Sequence, residues 1–149
     1  MTVEELLEIE AIRKLRVLYS HHFDGQNLDG LVDLFTDDAV CEFGPDYGGD
    51  WVGKAVIHAN YAKYTEAEGP AFSVMHAVTN HNVRIIDATT AHGRAYLLDL
   101  RTAEGVDNPL ILFGVYDDLY KRVNGAWKIH RTRIDFLWPK RHVMPPRQL

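Results

Sequence analysis

The hydrophobic period changes once along this chain, near Pro70, and that switch limits what the chain can become. Before it, apolar residues recur at helical spacing. After it come four β-rich stretches, Ser73–Ile86, Ala91–Arg101, Leu110–Val123 and Ala126–Trp138. Helices first and consecutive strands afterwards predict an α+β fold built on a mostly antiparallel sheet. Asn124-Gly125 separates the last two stretches, and both residues accept positive φ, so it reads as a tight hairpin. A long, strongly twisted sheet curls around the helices, which predicts a cone-shaped α+β barrel with a hollow inside.

Thr2 and Glu5 have capping-box spacing, which starts a first helix. Leu7, Ala11, Leu15 and Leu18 form one row on it, joined by Ile12 and Tyr19, while Glu4, Glu8, Arg13, Lys14 and Arg16 supply charge elsewhere around the cylinder. Gly25 suits the left-handed turn that commonly ends a helix, leaving Asp24 at or just beyond the last turn. Asn27 can cap a short second helix bearing Leu28, Leu31, Val32 and Phe35 on one side. Ala39 to Phe43 reads as a strand, residues 44–50 as a turn-rich, mobile loop, and Lys54 to Glu66 as a third helix with Ile57, Tyr61 and Tyr64 aligned. Residues 1–138 make a single domain. The tail 139–149 is basic and Pro-rich, an extended arm that ends in solvent or lies over a pocket or a neighbouring subunit.

Composition narrows the function classes. A chain of 149 residues with 46% apolar content buries a sizeable single core. Net charge is −5 and the cations are dispersed outside the tail, which argues against nucleic acid as a partner. No apolar run is long enough to span a bilayer, and the acidic start is unlike a secretory signal, so a cytoplasmic location is expected. Cys41 is the sole cysteine, and the histidines show no zinc-type spacing; no metal is expected.

Two residues stand out chemically. His76 lies mid-strand with Val74 and Val78 on its face, and imidazole both accepts and returns a proton near neutral pH. Asp24 waits at the end of the first helix; brought to the histidine in a pocket, it either orients the imidazole or takes the proton itself. Tyr19, on the same helix, can donate to an oxygen that gains negative charge. Tyr96 is a second donor candidate, and Asn80 falls on the His76 face by simple alternation. Each also has an ordinary structural role open to it: a solvated turn aspartate, a satisfied core histidine, packed aromatics, a strand-edge amide.

The pieces Ile9-Glu10-Ala11-Ile12, Phe23-Asp24-Gly25, Leu34-Phe35-Thr36-Asp37-Asp38, His76 with Thr79-Asn80, and Asn124-Gly125-Ala126-Trp127 occur in a characteristic order. In that order the chain resembles the SnoaL-like branch of the nuclear-transport-factor-2-like superfamily, from Ile9 to about Trp138. Within it the chain is similar to scytalone dehydratase, bile-acid 7α-dehydratase and hexachlorocyclohexane dehydrochlorinase. The resemblance implies elimination without metal or organic cofactor, with Asp24 and His76 as the catalytic pair and Tyr19 matching a tyrosine of the bile-acid enzyme. That enzyme's last-strand arginine is not reproduced, since Ile134-Asp135-Phe136 stands there. Ile134, Phe136 and Trp138 therefore suggest a greasy wall for a hydrophobic, cyclic small molecule. The resemblance also admits isomerases and a non-catalytic binding or assembly subunit like the small subunit of ring-hydroxylating dioxygenases, and it implies a homodimer or homotrimer.

Overall fold

The computed structural model describes residues 1–149. Helix α1 spans Val3–Asp24, and Thr2 caps it by accepting from the Glu5 amide at 3.1 Å. Its buried stripe is Ile9, Ile12, Leu15, Arg16, Tyr19 and Phe23. The stripe is rotated from the row read in the sequence. Leu7 is exposed, whereas Arg16, read as a surface charge, is fully buried. Gly25 is not left-handed (φ −79°); the positive φ falls on Gln26. Gly25 is needed for closeness instead: a Cβ there would sit 2.7 Å from the His21 carbonyl oxygen.

Helix α2 (Leu28–Asp33) is capped by Asn27, which accepts from the Gly30 amide. Strand β1 (Phe35–Glu42) begins earlier than the sequence suggested. Residues 45–47 form a 3-10 turn, then come the short strand β2 (Trp51–Val52) and helix α3 (Lys54–Ala67). Strands β3 (Val74–Ile85), β4 (Thr90–Arg101), β5 (Leu110–Val123) and β6 (Ala126–Trp138) follow. Together the strands make one six-stranded sheet in the order β2-β1-β6-β5-β4-β3. All neighbours are antiparallel except β1 with β6, so the sheet is mixed. The parallel pair joins segments far apart in sequence, and local periodicity carries no trace of it.

The helices pack on the inner face, where Tyr19, Phe23, Phe35, Tyr61 and Tyr116 form an aromatic core with ring centroids about 6 Å apart. No helix is long and apolar enough to cross a membrane.

The tail runs back over the outer face of the sheet. His142 pairs with Phe136, and the Met144 amide donates to Asp135 at 3.0 Å. Arg147 is the anchor: it donates to Asp117 and Glu42, each at 2.9 Å, with its side chain 9% exposed. Burial alone would raise the Asp117 carboxyl pKa, but its hydrogen bond to His92 and the charges of His92, Arg133 and Arg147 outweigh that and hold it low. A carboxylate depressed in the folded state stabilises fully above its unfolded pKa and loses that contribution as pH falls through the folded value. Arg147→Ala should therefore lower stability in urea at neutral pH by about 1.5–3 kcal/mol, the range for charged hydrogen bonds. The deficit should shrink on acidification; an unchanged urea midpoint at neutral pH would show that the arm is not anchored.

Candidate active site

Three elements assemble the site. The last turn of α1 ends on Asp24, whose carbonyl accepts from the Phe72 amide at 2.6 Å, tying the helix terminus to the entrance of β3. Asp24 Oδ2 then accepts from the backbone amide of His76 at 2.9 Å, and Oδ1 from the ring Nδ1 at 2.6 Å. Because a carboxylate only accepts, Nδ1 carries the hydrogen and the neutral ring keeps its lone pair on Nε2. Asp24 is 5% exposed and the His76 side chain 9%. Burial pushes the imidazole pKa down, but the hydrogen bond to Asp24 and the charges of Asp99, Asp24 and Glu68 outweigh it and raise it above the ordinary value.

His76 borders an inner cavity of about 60 Å³ walled mainly by aromatic and aliphatic groups. Tyr19, Phe23, Trp51, Tyr61, Tyr116 and Ile134 are among the residues that line it. The Tyr19 and Tyr61 hydroxyls lie 2.9 Å apart. Burial pushes the Tyr19 phenol up to about 12 against the charge of Arg16, so it stays protonated and can donate. A larger hollow of about 580 Å³ opens outside, sharing Phe43, Tyr47 and Leu112 with the inner one. Tyr47 stands between them, its ring 6.2 Å from Phe136 and nearly parallel to it. The tail residues Pro139 to His142 border the outer hollow.

The residues expected at the site thus separate into two groups. Tyr19, His76 and Ile134 line the inner cavity with Asp24 hydrogen-bonded to His76 behind it, and Phe136 lies at the outer hollow. Tyr96, Asn80 and Trp138 do not join them. Tyr96 is 54% exposed: it pairs with Thr79 on the outer face, three residues from the inward Asp99. Asn80 sits in a bulge between Thr79 and Asn82 with φ +53°, and the extra residue breaks the alternation. His81 reaches the inner face there, 3.2 Å from the Tyr120 hydroxyl. Trp138 lies 40% exposed against Phe113.

Sequence reasoning missed Asp99, Glu68 and the wall formed by Phe43, Tyr47, Trp51 and Leu112. One signal was available: Asp99 interrupts the apolar run Ala95-Tyr96-Leu97-Leu98 and precedes Leu100, an odd place for an acid.

Solved structures share the fold across nearly the whole chain. A protein from Novosphingobium aromaticivorans DSM assigned as an aromatic ring hydroxylase is 28% identical, with 90% of this chain and 92% of that one covered and a TM-score of 0.76. A protein from Novosphingobium aromaticivorans DSM 12444 assigned as a scytalone dehydratase is 24% identical, with coverage of 100% and 99% and a TM-score of 0.76. The hexachlorocyclohexane dehydrochlorinase LinA-type3 of Novosphingobium barchaimii LL02 is 19% identical, with coverage of 96% and 99% and a TM-score of 0.73. These likenesses agree with the three helices and six-stranded mixed sheet described above. Residues 4–133 match the SnoaL-like domain, and the chain belongs to that family.

Proposed function

We propose that this protein is a lyase of the dehydratase type, acting without a cofactor on a small hydrophobic cyclic molecule by acid–base chemistry. The observation that carries the reading is the 2.6 Å bond from His76 Nδ1 to Asp24, which orients the second ring nitrogen for work as a base. Asp24 lies behind the imidazole and is absent from the cavity wall, which favours His76 over Asp24 as the proton acceptor. The Tyr19 and Tyr61 hydroxyls share one hydrogen bond, and whichever of them accepts in it keeps its own O–H to donate to an oxygen that becomes negative as the carbon acid ionises. A substrate larger than the inner cavity enters from the outer hollow past Tyr47, whose ring must leave Phe136 to admit it. Isomerisation uses the same first step and differs only in where the proton is returned.

The test is solvent-deuterium exchange at the α-carbon of cyclohexanone in heavy water, followed by proton NMR. Enzyme-dependent exchange that His76→Ala reduces by about 10²-fold or more is the expected result. Exchange unchanged in His76→Ala removes the histidine from the mechanism. The competing reading, an assembly subunit, is favoured by the small inner cavity. That reading gains if neither wild type nor variant exchanges any of a panel of cyclic ketones.

A further inference from the structure

Directly across the register from His76, on β4, stands Asp99. Its Oδ1 lies 3.9 Å from His76 Nε2, the nitrogen that Asp24 leaves free. The Asp99 side chain is 16% exposed, yet Oδ1 has no hydrogen-bond partner in the protein. A carboxyl group withdrawn from water with nothing donating to it is costly, and such groups concentrate where chemistry is done.

A plain structural role would make Asp99 a second counter-charge for the imidazole. His76 already has a partner in Asp24, however, at 2.6 Å. An ionised carboxylate beside Nε2 would only favour the protonated ring and disable it as a base. The conflict disappears if the single proton of the pair resides on Asp99 when substrate is bound. Burial raises the Asp99 pKa and Glu68 and Asp24 push the same way, while the charges of His76 and Arg101 oppose it. The charged and titratable groups facing the pair are Asp24 and Tyr19 on α1, Glu68 beyond α3, Arg101 at the end of β4, Tyr116 on β5 and Tyr47 in the loop after β1. Glu68 Oε2 also lacks a hydrogen-bond partner, and Arg101 approaches it at 3.6 Å.

Resting on the elimination reading above, we propose that Asp99 is the general acid of the reaction, protonating the leaving oxygen while His76 Nε2 removes the carbon-bound hydrogen. The step balances within the chain. The C–H bond breaks and its proton passes to Nε2, and its electron pair becomes the new double bond. The C–O bond breaks, and the leaving hydroxyl departs as water with the Asp99 proton. The imidazolium and carboxylate left behind face each other, and proton return from Nε2 to Asp99 resets the pair.

Full-length protein is tested with two probes, β-hydroxycyclohexanone and β-acetoxycyclohexanone, reading cyclohexenone by absorbance. Acetate leaves without protonation, whereas hydroxide does not. Asp99→Asn should lower turnover of the hydroxy probe by about 10²–10⁴-fold and leave the acetoxy probe within about threefold. It should also erase the alkaline limb of the hydroxy pH–rate profile, which reports deprotonation of the acid. Equal loss on both probes, or no loss on the hydroxy probe, overturns the role of Asp99. If His76→Ala turns over both probes at the wild-type rate, the elimination reading itself fails, independently of Asp99. Should wild type act on neither probe, carbon-13 NMR titration of the aspartate carboxyls decides. Ionisation of Asp99 above the ordinary carboxylate range, with a His76 titration lowered in Asp99→Asn, supports the assignment; an ordinary Asp99 and an unmoved His76 overturn it.

Discussion

Asp24→Asn should reduce proton abstraction from cyclohexanone by about 10⁴-fold, the loss seen when a buried aspartate behind a catalytic imidazole becomes an amide. Asp24 receives two donors, the His76 backbone amide and Nδ1–H. The backbone donor is fixed, so the single carbonyl oxygen of asparagine must serve it. The amide NH₂ then faces Nδ1, which can only accept, and the ring hydrogen moves to Nε2. The nitrogen that should take the proton already carries one. A drop of that size corresponds to about 5 kcal/mol of transition-state stabilisation.

The same substitution moves the pH dependence, which a merely structural residue would not do. The wild-type imidazole titrates above its ordinary value, chiefly through its bond to Asp24 against the effect of burial. Without that bond, the acid limb of the rate profile shifts to lower pH while the plateau falls. Stability follows by linkage. A histidine with a raised folded pKa contributes stability that is complete below the unfolded pKa and disappears as pH rises through the folded value. Asp24→Asn should flatten that part of the stability profile in urea titrations. A variant with near-wild-type exchange and an unshifted acid limb would remove Asp24 from the catalytic pair.

The parts of this molecule legible in the sequence are those set by local periodicity. The four long strands were readable within one residue of their ends, and Asn27 as a helix cap, because side chains at fixed spacing report one face. What escaped depends on register. Asn80 was placed inward by counting in twos from His76, and one bulge residue sufficed to turn it away. Tyr96 and Asp99 were indistinguishable as to face until the pairing of Asp99 with His76 was known. The parallel contact of β1 with β6, which joins β1 and β2 to the four long strands, involves residues about ninety positions apart. The meeting of Asp24 and His76 across 52 positions was anticipated through resemblance rather than from pattern alone.

Arg16, which periodicity sets off the apolar row of α1 but the fold buries, carries the largest expected effect on stability. Its guanidinium makes two bonds to Asp118, both 2.7 Å, and a third to Thr132, while the Tyr120 hydroxyl donates to Asp118 at 2.7 Å. The guanidinium carbon also lies 3.6 Å from the Tyr116 ring centroid and 4.6 Å from that of Tyr19, two walls of the inner cavity. Both partners are 1% exposed, so neither charge can turn to water when the other is removed. Arg16→Met should cost about 3–5 kcal/mol, since it strands the Asp118 carboxylate in the core. In a chain of this length that lowers Tm by about 6–20 °C. Asp118→Leu should be similarly damaging, for it leaves the guanidinium without its counter-charge. The double variant Arg16→Met/Asp118→Leu should recover most of the loss, because apolar groups of similar volume replace a desolvated ion pair at little net cost. A double-mutant cycle in urea measures the coupling directly. Additive losses would mean that each charge finds another partner, and that the aromatic walls of the cavity do not depend on the pair for their support.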